Sequence, residues 1–132
     1  MLDLNNKVAL ITGVNNPQGI GASTANSLAK AGAKVVCVYK KLKFHFNENE
    51  TRENGFNKYH KALSCDAAEV EEQIKQFTNN YLIIERDSVE KDNITDIFNI
   101  IEQRFGNVEI FVNNAAMCSE NDTIFYPLMT RR

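Results

Sequence analysis

The stretch from Val8 to Gly32, VALITGVNNPQGIGASTANSLAKAG, constrains the fold more than any other part of this sequence. Val8 to Thr12 is short and apolar enough for a strand buried on both faces. A glycine-punctuated turn follows. Ile20, Thr24, Leu28 and Ala31 then share one helical face, and Gly32 stands where a helix ends. Strand, glycine turn and helix in this order make a phosphate-binding unit. Gly13 permits the sharp exit from the strand, Gly19 lets backbone approach a pyrophosphate, and Gly21 lets the helix pack on the strand. The free N–H groups of the helix's first turn face the phosphates, with the positive end of the dipole behind them. The glycine spacing is wider than G-x-G-x-x-G, and a plain strand-loop-helix corner could also use three glycines. No Gly-Lys-Ser/Thr follows, which excludes a P-loop.

Three more strands are legible downstream. Ala33 to Tyr39, AKVVCVY, is a continuous β-branched run, Tyr81 to Glu85 reads YLIIE, and Val108 to Val112 reads VEIFV. Between them, Asp66 to Phe77 predicts a helix, with Asp66 and Glu69 at capping-box spacing and Val70, Ile74 and Phe77 on one face. Ile94, Ile97, Phe98, Ile101 and Phe105 predict another, stopped by Gly106. Lys40 to Lys61 reads as polar and irregular, a long loop with six Lys/Arg against three Glu. Alternating strands and helices give an α/β, doubly wound parallel sheet of Rossmann-like type, in the spatial order third, second, first, fourth. Its topological switch point falls between the first and fourth strands, where Gly13 to Gly21 meets Asn113 to Ala116.

Composition narrows the function. A chain of 132 residues is one domain, and a net charge of -2 argues against nucleic acid as the main partner. The amino terminus has no signal-peptide layout and no apolar run approaches membrane-spanning length, so a cytoplasmic protein without a membrane partner is expected. Cys37, Cys65 and Cys118 are an odd count without metal-ligand spacing, so no metal is expected, and Cys37 reads as a buried thiol.

The opening resembles that of the short-chain dehydrogenase/reductase family, a strand followed by Thr-Gly-x-x-x-Gly-x-Gly. Thr12, Gly13, Gly19 and Gly21 match, with Asn15-Asn16-Pro17-Gln18 making the turn two residues longer. Asn113-Asn114-Ala115-Ala116 is similar to the family's Asn-Asn-Ala-Gly. The resemblance spans residues 3 to 116 and about half of a family member, which makes this an incomplete NAD(P)-binding domain. It implies cofactor contacts from Gly13, Asn16, Gly19, Ile20, Gly21, Asn113 and Ala115, and adenine contacts near Asp87 and Ser88. An Asp at a strand end also serves its own turn by accepting backbone N–H bonds. Tyr39, Lys40 and Lys41 stand where relatives that prefer NAD carry an acid for the ribose hydroxyl. No Asp or Glu occurs from Gly32 to Phe46, so NADP is the expected cofactor and NAD the lesser one. Solvation of a loop would account for the lysines equally.

The same resemblance implies a catalytic Ser and a Tyr-x-x-x-Lys pair beyond a fifth strand, which this sequence does not reach. Tyr39-x-x-x-Lys43 fits as a string but lies on the adenosine side, and Ser119 and Tyr126 have no partner lysine, so no catalytic residue is assigned. The reading is the NADP(H)-binding portion of an oxidoreductase that exchanges hydride between nicotinamide and a carbonyl or alcohol. A non-catalytic nucleotide-binding or interaction module is the alternative. An S-adenosylmethionine methyltransferase is disfavoured, because it wants an acid where Tyr39 stands. With its fourth strand at an edge, the isolated domain is expected to be marginal or to associate with itself.

Overall fold

The computed structural model describes residues 2–44 and 55–116. Four parallel strands, β1 (Val8–Thr12), β2 (Lys34–Tyr39), β3 (Tyr81–Glu85) and β4 (Ile110–Val112), form one sheet in the order β3-β2-β1-β4. This is the predicted order. β1 is buried along its whole length, because helices cover both faces of the sheet at its centre.

The two faces carry separate cores. On one, α1 (Ile20–Lys30) and α3 (Ala68–Lys75) bury Ala22, Ala25, Ala29, Val70 and Ile74 over Ala9, Ile11, Val35 and Cys37. On the other, Ile97 and Ile101 of α4 (Lys91–Phe105) pack on Val8, Leu10, Val36, Val38 and Ile84. Cys37 is fully buried, and burial alone pushes its thiol up to about 12, which keeps it inert as expected. Cys65 is exposed, and Cys118 lies outside the described residues.

Several sequence expectations need correction. The buried face of α1 is made of Gly21, Ala22, Ala25 and Ala29, whereas Ile20 is 79% exposed. Small side chains let the helix sit close to the sheet, and Ile20 at the first turn points away from it. The Lys40–Lys61 segment contains a helix, α2 (Phe56–Ser64), where an irregular loop was expected. Residues 45–54 of that segment lie outside the described residues. The α3 helix starts at Ala68 without a side-chain cap from its N-cap residue, and Asp66 instead accepts the Ala68 N–H at 3.0 Å. Phe77, Ile94 and Phe98 are each more than a third exposed, because helical spacing alone does not say how wide the covered stripe is. β4 is shorter than the run Val108 to Val112, although the Glu109 N–H still reaches the Val8 carbonyl at 3.0 Å.

Candidate functional site at the carboxyl ends of the strands

The carboxyl ends of β1 and β4 are locked together by side chain and backbone. The Thr12 hydroxyl, buried, accepts the N–H groups of Asn114 at 3.1 Å and Ala115 at 3.0 Å. In return the Asn114 amide donates to the carbonyls of Thr12 and Gly13, both at 3.0 Å. The junction leaves no room at two glycines. Gly13 has a φ of +73°, and a Cβ on it would stand 2.9 Å from the Ala115 Cα. A Cβ on Gly21 would stand 2.6 Å from the Gly13 carbonyl oxygen and 2.7 Å from the Asn114 amide nitrogen. The glycines expected from the sequence are therefore needed, and for a reason the sequence did not show. They admit Asn114 between turn and helix.

The longer turn has its own scaffold. Asn15 is buried and donates its amide to the carbonyls of Leu63 and Cys65, each at 3.0 Å, so the turn is tied to the end of α2. The Asn16 carboxamide oxygen accepts the Gln18 N–H, and the Asn16 carbonyl accepts the Gly19 N–H at 2.9 Å. The chain is thereby delivered to α1, whose N-cap Gly19 offers no side-chain cap and whose first turn holds no acid. The arrangement suits an anion, because the N–H groups of a helix's first turn have no intrahelical acceptor. Ile20 can contribute only backbone there, given its outward side chain.

The ends of β2 and β3 are organised by charge instead. Tyr39 is buried beneath its own strand end, with its hydroxyl 3.3 Å from a Glu85 carboxylate oxygen. Burial first, and then the Glu85 charge, hold its phenol above the ordinary value. Lys40 lies 2.6 Å from Asp87, and Lys41 lies 3.8 Å from Glu85. The other Asp87 oxygen accepts the Val89 N–H at 3.0 Å, so the carboxylate serves its own turn as well. The Lys40 ammonium, followed by the Val89 N–H, holds the Asp87 carboxyl below its ordinary value. Acids absent from the sequence beside Lys40 are thus present in space beside it.

Of the residues picked from sequence, Gly13, Gly19, Gly21, Asn113 and Ala115 gather at the β1–β4 end, with Asn16 in the adjoining turn. Tyr39, Lys40, Lys41 and Asp87 gather at the β2–β3 end, and Ser88 follows in the next turn. Thr12, Asn15 and Asn114 were missed as site residues. Only the pairing of Thr-Gly with Asn-Asn across the switch point could have signalled Thr12 and Asn114. Ser119 and Tyr126 lie outside the described residues. An open groove of about 460 Å³ is lined by Pro17, Gln18 and Gly19 of the turn, by Ser23, Asn26 and Lys30 of α1, and by Gln73 and Phe77, so it reaches the start of α1. Among the described residues no group of His, Cys, Asp or Glu is placed to hold a metal, and no helix is long and apolar enough to cross a membrane.

Known proteins share this fold. Residues 13–128 match the family model described as enoyl-(acyl carrier protein) reductase. An uncharacterised oxidoreductase of Staphylococcus saprophyticus is 30% identical over 120 residues, 89% of this chain and 40% of the relative. Human 15-hydroxyprostaglandin dehydrogenase [NAD(+)] is 31% identical over 121 residues, 92% of this chain and 37% of the relative. Among solved structures, L-sorbose reductase from Gluconobacter frateurii, complexed with NADPH and L-sorbose, superposes with a TM-score of 0.63 at 26% identity, covering 93% of this chain and 38% of that one. The chain thus spans about two-fifths of the length of the relatives it matches. One relative is named for NAD(+) and another holds NADPH, so the comparisons do not choose between the two dinucleotides.

Proposed function

Because this chain belongs to the short-chain dehydrogenase/reductase family, we propose that it binds a nicotinamide dinucleotide across the carboxyl ends of β1, β2 and β4, as the cofactor-binding part of an oxidoreductase that interconverts alcohols and carbonyls. The observation that carries this reading is the β1–β4 junction. Thr12, Gly13, Gly21 and Asn114 hold the turn against the uncapped start of α1, which leaves a fixed, backbone-lined place for a pyrophosphate. Gly19 and the N–H groups of Ile20 and Gly21 face the phosphates, with Asn16 shaping their approach. Asn113 and Ala115 line the nicotinamide ribose, and the turn at Asp87 and Ser88 borders the adenine. When bound, the dinucleotide supplies the hydride.

The preferred dinucleotide in this reading is NADPH. Lys40 and Lys41 leave β2 at the adenosine ribose, and a lysine ammonium pairs with a 2′-phosphate where a carboxylate would repel it. Both lysines are about half exposed, so the preference is modest and salt-sensitive. Tyr39 supports them from below and does not reach the ribose, since its hydroxyl is spent on Glu85. Residues 1–132 hold no Tyr-x-x-x-Lys other than Tyr39 to Lys43. On this reading they bind the dinucleotide without reducing carbonyls, and they associate through the edge of β4, where Phe111 is 58% exposed.

Fluorescence titration with NADPH and NADH at low and high salt, repeated with Lys40→Ala and Lys41→Ala, tests the assignment. Tighter NADPH binding that fades with salt and with either substitution supports it. Equal affinities in the unmutated chain remove the NADP preference, and binding of neither dinucleotide removes the whole reading.

A further inference from the structure

The two lysines that the reading above assigns to a 2′-phosphate are each already engaged by an acid from the neighbouring strand. We propose that Asp87 and Glu85, at the end of β3, form a latch that holds Lys40 and Lys41 and so limits the preference for NADPH over NADH. The inference rests on the dinucleotide reading and adds positioning residues that the end of β2 does not itself contain.

The latch follows from register. Tyr39 and Glu85 are partners in the parallel β2–β3 ladder, and the Arg86 N–H continues it to the Tyr39 carbonyl at 2.9 Å. The chains therefore leave the sheet side by side, which brings Lys40 to Asp87 and Lys41 to Glu85 although each pair is far apart in sequence.

In the Lys40–Asp87 pair the acid is the anchored member. Asp87 is fixed by the Val89 N–H on one carboxylate oxygen, and its own carbonyl accepts the Asn93 amide at 3.2 Å. Its side chain is 24% exposed, against 54% for Lys40. Glu85 accepts the hydroxyl of the buried Tyr39 at 3.3 Å, and it and Lys41 are both about half exposed. An arriving 2′-phosphate must therefore draw a tethered lysine away from a carboxylate that stays in place. That carboxylate then lies within a Debye length of the phosphate and repels it. A 2′-hydroxyl meets neither obstacle.

The geometry selects the variants. Asp87→Asn keeps an oxygen for the Val89 N–H, and Glu85→Gln keeps one for the Tyr39 hydroxyl, so each removes charge with little change of shape. Dissociation constants for NADPH and NADH are to be measured on the full chain at low and high salt for the unmutated protein, both single variants, Lys40→Ala, and Lys40→Ala combined with Asp87→Asn. Thermal melts establish that each variant is folded. The expected result is an NADPH:NADH affinity ratio raised about two- to fivefold by Asp87→Asn, in line with the usual strength of exposed pairs. Glu85→Gln, whose pair is longer, should raise it less. Both effects should shrink at high salt, and Asp87→Asn should raise the ratio less in the Lys40→Ala background, where only the direct repulsion by the carboxylate is left to remove.

That last arm separates the latch from a merely structural role, which would persist without Lys40. If Asp87→Asn leaves the ratio unchanged, or raises it equally without Lys40, the latch is overturned while the dinucleotide reading stands. Should Asp87→Asn fail to fold, Glu85→Gln decides alone, and an unchanged ratio overturns the proposal. Binding of neither dinucleotide by the unmutated chain overturns the dinucleotide reading and the latch together.

Discussion

The two ends of the candidate site are built from different materials. At the β1–β4 end, Thr12 and Asn114 join backbone to backbone through their side chains, and Gly13 and Gly21 leave no space for a single extra carbon. At the β2–β3 end, exposed lysines reach across to carboxylates, over one buried phenol. Close packing has a steep distance dependence, so the first end accepts one arrangement. Charge in water has a shallow one, and the second end tolerates several. On the proposed reading, the part common to both dinucleotides meets the rigid end and the part that differs meets the adjustable one.

The comparison can be broken by substitution. The largest effect is expected from Gly21→Ala, whose new carbon meets the Gly13 carbonyl and the Asn114 amide. Overpacking of this kind costs about 1–3 kcal/mol, and it should also displace Asn114 and abolish dinucleotide binding. Urea unfolding and a binding titration measure both, and an unperturbed Gly21→Ala protein would show that the junction is looser than its geometry.

Asn114→Ala comes next. It removes two part-buried hydrogen bonds, to the carbonyls of Thr12 and Gly13, a loss of about 0.5–1.5 kcal/mol for each. Amide exchange should speed at Asn114 and Ala115 in a Thr12→Val partner experiment, because the hydroxyl that accepts both N–H groups is gone.

The β2–β3 end should respond less. Tyr39→Phe keeps the buried ring and loses a hydrogen bond of 3.3 Å, so a change of about 0.5–1.5 kcal/mol at most is expected in the same urea experiment. A loss as large as that of Gly21→Ala would erase the contrast between the two ends.

The smallest effect belongs to Asp87→Asn and is visible mainly through pH. Lys40 and the Val89 N–H hold the Asp87 carboxyl below its ordinary value in the folded chain. Its stabilisation is therefore present at neutral pH, above the unfolded-state value, and is lost as pH falls through the lower folded value. Stability curves of the unmutated and Asp87→Asn chains should differ slightly at neutral pH and converge in acid. A gap that widens on acidification would contradict the ion pair.

Much of this architecture is legible in the sequence because buried parallel strands announce themselves. β1 and β3 begin and end where their apolar runs do, and the order of the sheet follows from crossover handedness. The helix α2 was not legible. Its segment FNKYHKALS is amphipathic but only nine residues long and follows a long polar run, and what fastens its end includes Asn15, a residue of a turn some fifty positions earlier. Ile20 misled for the opposite reason, since a large apolar residue at helical spacing looks like core until the sheet demands small ones. The Lys40–Asp87 pair was hidden because it is a fact of register, and composition around Lys40 shows only the lysines.

The Thr12–Asn114 contact joins residues 102 positions apart, and this gives the site a place in time. During synthesis β1, α1 and β2 emerge early and can pair with one another, whereas β4 arrives much later. Closing so long a loop costs about 4 kcal/mol of chain entropy by the logarithmic rule, before the junction returns any of it. The β1–β4 junction therefore forms well after β1, α1 and β2 are made, although its glycines emerge with them. A ligand seated there binds the finished fold and not its precursors, so it acts on how long the folded chain persists and not on how fast it assembles.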